Sequence, residues 1–258
     1  MENKLLKQRF QLALEVSKEV SRFLLSHEYL RHDITQKAEN DYVTTADKSS
    51  EDMIENAIRK AFPMDSIFGE ENGKIGQDKD KRWIIDPIDG TVDFMTGFPN
   101  YTVSIAFEDE LGLAFGVVTV VRQDEVFSAF RGEGAFLNGE RIFTDENTPL
   151  NKQLAILVPP HRHHDLLDGY LKRMRKFYDI ISDMRSLGSA ACSLCYVASA
   201  RVAMYYEVGL KLYDCAAGII ILKEAGGKVT LLSGSEDWIE IAASSSFAHE
   251  RMLEIIKK

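Results

Sequence analysis

The stretch Trp83-Ile84-Ile85-Asp86-Pro87-Ile88-Asp89-Gly90-Thr91 constrains this chain more than any other. An apolar strand delivers Asp86 at its end. Pro87 has no N–H and cannot continue a central hydrogen-bond ladder. Asp89-Gly90 then reads as a turn that brings the Asp86 and Asp89 carboxylates to one side. Gly90 lets the backbone approach a ligand closely, and Thr91 opens a short helix. The N–H groups of Gly90 and Thr91 would face an anion at that helix start. Asp-Gly pairs also mark plain turns, so this stretch alone leaves an ordinary loop open.

Composition narrows the class around it. The chain has 258 residues, 45% of them hydrophobic and 28% charged, as in an ordinary globular protein. Disordered, collagenous and coiled-coil classes are excluded. No apolar run reaches the length of a membrane span, and the start MENKLLKQRF lacks the apolar core of a signal peptide. Three cysteines in such a chain read as free thiols in a reducing cytoplasm. Cys192 and Cys195 form a C-x-x-C inside a small-residue helical stretch, where packing explains them better than metal binding. Acidic residues outnumber basic ones by 40 to 31, giving a net charge of −9 and arguing against nucleic acid as the main partner. An acidic chain that acts on an anion needs cations to do so.

The chain divides into two halves, 1–149 and 150–258. The first opens with an amphipathic helix over residues 5–29, carried by Leu6, Phe10, Ala13, Val16, Val20, Phe23 and Leu24. A polar segment runs from Arg31 to Thr45, and a second helix starts near Thr45 or Asp47 and stops at Phe62-Pro63. Short strands follow at Ser66–Glu70, Arg82–Asp86, Tyr101–Phe107, Leu113–Val121 and Val126–Phe130, with short links that favour antiparallel neighbours. The second half alternates. Strands are expected at Gln153–Val158, Tyr178–Ile181, Val202–Glu207, Lys228–Leu231 and Glu240–Ala243. Helices are expected at Asp165–Lys176, Ser189–Ala200 and Asp214–Ala225, with a last one from Phe247. The expected class is α+β in the first half and α/β in the second, with a cleft between them.

Two further acidic sites enlarge the first. Phe68-Gly69-Glu70-Glu71 ends a strand with a carboxylate pair, and Tyr213-Asp214-Cys215-Ala216-Ala217-Gly218 sets an acid before a long apolar helix. Singly, the pair reads as a solvated loop and Asp214 as a helix cap. Gathered with Asp86 and Asp89, they form a candidate all-oxygen cluster of the kind hard cations such as Mg²⁺ prefer. Without cations, such carboxylates repel one another.

In these motifs the chain resembles the inositol monophosphatase family of lithium-sensitive, magnesium-dependent phosphatases. The likeness spans nearly the whole chain. It adds Asp41-Tyr42-Val43-Thr44 with Asp47, Gly97-Phe98-Pro99 with Val103-Ser104-Ile105, Arg131-Gly132-Glu133-Gly134-Ala135-Phe136 and Arg185-Ser186-Leu187-Gly188-Ser189-Ala190-Ala191, all in family order. The resemblance implies a layered αβαβα sandwich, a homodimer and two to three Mg²⁺ per site. Glu70, Asp86 and the Ile88 carbonyl would hold one ion. Asp86, Asp89 and Asp214 would hold another, and Glu70 would help place a weaker third. It implies that Thr91 and Glu70 orient the attacking water, that Asp47 supports Thr91, and that Gly90 and Thr91 meet the phosphate. Glu207, with Gly188, Ser189 and Ala190, would line the alcohol side. Cations ~4 Å apart suit an in-line displacement by water, and they reverse the local sign so that an acidic protein can hold a phosphate.

The match departs at Val92-Asp93, where the family commonly has Thr-Asn, and at Tyr213, where a Trp is common. Neither is an expected ligand. Lys211, between Glu207 and Asp214, either contacts a second phosphate or is simply solvated. The His161-Arg162-His163-His164 run reads as a solvated turn, with an anionic substrate contact as the alternative, and Arg185 reads as a buttress. The expected activity is hydrolysis of inositol monophosphate or a related polyol phosphate. Fructose 1,6-bisphosphate, NADP(H), histidinol phosphate and, less favoured, 3′-phosphoadenosine 5′-phosphate are alternatives within that chemistry. A non-catalytic metal- and sugar-phosphate-binding regulator is an alternative of another class. A two-metal nuclease would need a basic track that the scattered Lys and Arg do not supply.

Overall fold

A computed structural model describes residues 2–38, 41–76 and 81–257. Its first half contains α1 (Glu2–Ser26), β1 (Ile34–Ala38), β2 (Asp41–Thr44), α2 (Thr45–Ala61), β3 (Ser66–Gly69), β4 (Lys74–Ile75), β5 (Arg82–Asp89), α3 (Thr91–Thr96), β6 (Thr102–Asp109), β7 (Gly112–Val120), β8 (Glu125–Phe130), β9 (Gly134–Leu137) and β10 (Glu140–Ile142). Its second half contains β11 (Leu154–Leu157), α4 (Leu167–Tyr178), β12 (Asp183–Arg185), α5 (Ala190–Ala198), β13 (Met204–Leu210), α6 (Leu212–Glu224), β14 (Lys228–Ser235), β15 (Trp238–Ser244) and α7 (Ser246–Ile256).

Two large sheets make the layers. One has eight strands in the order β10-β9-β8-β7-β6-β5-β3-β4, antiparallel except where β3 and β5 run parallel. The other has five strands in the order β12-β11-β13-β15-β14, parallel through its first three and antiparallel after them. Helices α1 and α2 cover the outer face of the larger sheet, α5 and α6 lie between the sheets, and α4 and α7 cover the outside of the smaller one. The result is the αβαβα sandwich. Three apolar clusters fill its interfaces: Ile54 and Trp83 under the first helices, Leu194 and Ile221 on both sides of the central helices, Phe177 and Met252 under the outer helices of the smaller sheet. No helix among the described residues is long and apolar enough to cross a membrane.

Most expected elements appear, the short strands β4, β9 and β10 are additional, and three expected stretches differ. Strand β5 runs on through Pro87 to Asp89. Pro87 sits where the β5–β6 register slips between Asp86 and Asp89, so its missing N–H costs no ladder bond there. The expected strand at Tyr178–Ile181 is instead the end of α4 and a turn, and the edge strand is Asp183–Arg185. Apolar residues there pack inward from the turn: Ile181 is buried at 7% exposure. The polar segment between the first helices holds the antiparallel pair β1 and β2, and β1 is exposed along its whole length. With neither face buried, it carries no hydrophobic alternation.

The middle layer is thin because small residues let backbone meet backbone. A Cβ at Gly116 in β7 would lie 2.6 Å from the Ala217 carbonyl oxygen and 2.9 Å from the Ala217 Cα of α6. Gly116→Val should therefore destabilise the fold by about 1–3 kcal/mol through overpacking. The check is urea unfolding, with a lower midpoint at unchanged slope. An unaltered midpoint would contradict this packing.

Candidate metal centre and active site

The site begins with the β5 register slip. Side chains alternate along a strand, so residues three apart ordinarily point to opposite faces. Here Asp86 pairs with Ser104 and Asp89 with Thr102, so three steps on β5 match two on β6. That bulge returns Asp86 and Asp89 to the same face. Asp214, in the first turn of α6, meets them from the other half of the chain. One carboxylate oxygen from each of the three lies within 4.8 Å of the others. Directly after them, Gly90 adopts a left-handed φ of 99°, and a Cβ there would lie 3.2 Å from the Asn100 carbonyl and 3.3 Å from that of Gly188. Both backbone conformation and crowding require glycine.

Backbone donors hold each acid. Asp86 accepts from the Ile88 N–H at 3.1 Å, and Asp214 accepts from the Lys211 N–H at 2.6 Å. Asp89 accepts from the Ser189 hydroxyl at 2.6 Å, the Ala191 N–H at 2.7 Å and the Ala190 N–H at 3.3 Å. The last two are first-turn amides of α5, which would otherwise lack partners. Asp47 and Thr44 form a capping box at the start of α2, with the Thr44 N–H donating to Asp47 at 2.8 Å. The other Asp47 oxygen lies 3.2 Å from the Thr91 hydroxyl, which is also 3.2 Å from the Ile88 carbonyl. One hydroxyl has one proton. Donation to Asp47 leaves the Ile88 carbonyl free.

These groups open into a cavity of about 710 Å³. Glu70, Asp86, Ile88, Asp89, Thr91 and Asp214 line its acidic side. Gly90, Gly188, Ala190 and Glu207 line the remainder of the expected wall. Three expected residues stand elsewhere. Asp47 is fully buried behind Thr91. Ser189 is also fully buried and is not a wall contact, because its hydroxyl is committed to Asp89 and to the Cys192 N–H that it caps. Lys211 does not line the cavity; its ammonium lies 5.6 Å from the centre of the Tyr213 ring.

The basic side of the cavity comes instead from the histidine run. His161, Arg162 and His164 line it, whereas His163 packs edge-on against Trp238 with ring centres 4.4 Å apart. No histidine joins the acidic cluster among the described residues. Arg185 pairs with Asp183 at 2.6 Å, away from the cavity.

Three supporting residues escaped the sequence reading. Glu51 on α2 is buried and accepts from the Glu71 N–H at 2.9 Å and the Asn72 N–H at 2.7 Å, shaping the turn that carries Glu70. Gly69 leaves room for it, since a Cβ there would meet the Glu51 carboxylate at 2.4 Å. Lys37 on β1 reaches Glu71 at 2.5 Å and Glu70 at 3.4 Å. Asp93 on α3 accepts from the Gly188 N–H and keeps its other oxygen buried without a partner. Only the spacing of Glu51 after the Thr44 cap hinted at an inward face.

Burial and mutual repulsion dominate the electrostatics. Burial first, then the charges of neighbouring acids, hold the Asp86 and Asp214 carboxyls well above the usual carboxylate range. Burial pushes Asp89 up to about 7 despite its three donors, and Asp47 also to about 7. Glu207 is pushed up to about 8 by burial, partly offset by the Tyr205 hydroxyl and then by the charge of Arg162. A concave set of hard oxygen donors that resists ionisation fits a hard divalent cation, which would supply the missing counter-charge.

Comparison with known proteins assigns the chain to a family. The sequence profile of the inositol monophosphatase family matches residues 3–258. The chain belongs to the inositol monophosphatase family. It is 41% identical over 240 residues to Nus factor SuhB of Haemophilus influenzae, covering 90% of each chain. It is 34% identical over 229 residues to inositol-1-monophosphatase of Mesorhizobium japonicum, covering 87% of this chain and 86% of that one. Among solved structures, the extragenic suppressor protein suhB of Bartonella henselae superposes with a TM-score of 0.89 at 32% identity, covering 96% of this chain and 98% of that one. The Thermotoga maritima IMPase gives 0.87 at 32% identity, covering 97% of both. The inositol monophosphatase family is one of magnesium-dependent phosphatases, and the acidic cluster of this member could hold metal.

This chemistry makes stability depend on pH in a metal-sensitive way. An acid whose folded pKa is raised, as Asp89 is from 3.8 to about 7, keeps a proton that the unfolded chain has lost. Its contribution is complete below the unfolded value and disappears as pH rises through the folded one. In EDTA the thermal midpoint should fall as pH rises from about 4 to about 7. Excess Mg²⁺ should raise the midpoint most at the alkaline end, by the equivalent of about 2.7 kcal/mol at a hundredfold excess over Kd. Parallel profiles with and without Mg²⁺ would contradict the assignment.

Proposed function

We propose that this chain hydrolyses the phosphomonoester of a small polyol, inositol monophosphate or a related sugar phosphate, with two to three Mg²⁺. The observation that carries the reading is the convergence of Asp86, Asp89 and Asp214 from both halves of the chain beside Glu70, Thr91 and Glu207 in one cavity. Glu70, Asp86, the Ile88 carbonyl, Asp89 and Asp214 would hold the metal. Bound there, Mg²⁺ supplies positive charge to phosphate oxygens and makes water a better nucleophile at neutral pH.

The protein's own groups do the positioning. In this reading Thr91 and Glu70 orient the attacking water, and Asp47 fixes the Thr91 hydroxyl by accepting its proton in a hydrogen bond. The Gly90 and Thr91 N–H groups donate to the phosphate. Glu207 meets a hydroxyl of the alcohol, with Gly188 and Ala190 shaping the wall. Ser189 contributes through Asp89, as a positioning residue. No covalent nucleophile is needed, because phosphoryl transfer depends mainly on alignment and charge stabilisation.

The name Nus factor SuhB on several relatives favours a second reading, in which the chain binds metal and sugar phosphate and acts through a partner. A phosphate-release panel over inositol monophosphate, fructose 1,6-bisphosphate, NADP(H) and histidinol phosphate, with and without Mg²⁺, separates the two. Hydrolysis should require Mg²⁺, and Glu70→Gln should lower kcat by about 10²–10⁴-fold with the fold intact, the usual range for a lost proton-handling group. Turnover that survives EDTA would overturn the metal scheme, and no turnover on any ester would favour the partner reading. The same reading includes inhibition by Li⁺ and a homodimer. A flat Li⁺ titration, or a monomer at micromolar concentration in sedimentation, would remove them separately.

A further inference from the structure

A second concavity lies on the outer helical layer, sharing no residue with the acidic cavity. It is a groove of about 830 Å³ between α4 and the end of α7. Lys172, Arg173, Arg175, Lys176 and Lys257 line it, and among the described residues no carboxylate does. In a chain of net charge −9 this is a local reversal of sign. Lys172, Arg175 and Lys176 stand at i, i+3 and i+4, so one face of α4 presents all three.

Local partners neutralise only part of this face. Arg173 donates to the Tyr206 hydroxyl at 3.0 Å and to the Ile256 carbonyl at 3.3 Å and lies 4.0 Å from the Glu240 carboxylate, and Arg175 pairs with Asp179 one turn on. Among the described residues, neither Lys172 nor Lys176 has a carboxylate within ion-pair reach. Cations near a helix C-terminus complement its dipole. That accounts for Arg175, Lys176 and Lys257, but Lys172 lies mid-helix. The floor is apolar: Gly169 has no side chain, Ile256 is buried, and Leu171 is 41% exposed; Leu167, one turn earlier on α4 and just outside the groove, is 38% exposed.

We infer that this groove docks an acidic amphipathic segment of a partner protein. Apolar side chains spaced three and four apart would lie along Leu167 and Leu171, while carboxylates meet the Lys172 and Lys176 rim. The lysine and arginine stems add further apolar contact under their charges. Single-stranded RNA suits the charge but not the floor, since no aromatic ring lines the groove to stack a base. The inference is independent of the chemistry in the cavity.

The test uses the full chain and three fluorescent probes in anisotropy titrations: a Glu/Leu peptide with leucines at helical spacing, the same composition scrambled, and an oligouridylate. The wild type should bind the patterned peptide about tenfold or more tighter than the scrambled one, a difference of about 1.4 kcal/mol. K172E/K176E should remove that preference, and Leu171→Ser should weaken the patterned peptide alone. Phosphate release and the thermal midpoint should stay unchanged in both variants, since Leu171 and Lys172 are exposed, Lys176 is only half-buried, and none of them lines the acidic cavity. Equal affinity for the two peptides, undetectable peptide binding, or tighter binding of the oligouridylate would each overturn the proposal.

Discussion

Repulsion among carboxylates is the constraint around which the rest of this structure is arranged. Asp86, Asp89 and Asp214 bring oxygens within 4.8 Å of one another, with Asp86 and Asp89 almost fully buried. Unscreened, such a group resists both folding and ionisation. The fold answers with positive helix ends. Asp89 accepts from the first-turn amides of α5, Asp214 lies in the first turn of α6, and Asp47 lies in the first turn of α2. The start of each helix carries partial positive charge toward the cavity. These donors do not fully offset burial and repulsion, since burial first, and the charge of Glu70 after it, still hold Asp89 near 7. A divalent cation bound there would complete what the helices begin.

The layered architecture follows from the same need. Acids from distant parts of the chain meet only if the two sheets approach closely across α5 and α6. Gly116 against Ala217 and Gly218 against Leu194 show how small residues permit that approach. Helix α6 therefore has two roles: its apolar body fills the middle layer, and its first turn delivers Asp214. The family to which the chain belongs shares this arrangement, as the superposition on the Thermotoga maritima protein indicates.

Much of the site was legible in the sequence because its parts lie in short contiguous motifs. The Trp83–Thr91 stretch encodes strand, bulge, turn and helix start in nine neighbouring residues. What the sequence hid depends on long-range contact or lacks a buried face. β1 is exposed throughout and shows no alternation. The Tyr178–Ile181 segment has the composition of a strand, yet its apolar side chains close a helix end. Ser189 and Lys211 lie near the site in sequence, but one is turned inward to Asp89 and the other toward Tyr213. Glu51 could not be read as a support for Glu70 without knowing that α2 passes beneath that turn.

If metal takes the place of protons held by mutually repelling acids, then binding must expel protons. Calorimetric titration of Mg²⁺ into the chelator-treated protein near pH 6, in buffers of different ionisation enthalpy, measures that exchange directly. The account predicts net proton release that shrinks as pH rises through about 7, where Asp89 ionises by itself. Saturable Mg²⁺ binding with no proton release at any pH, or no binding at all, would contradict it.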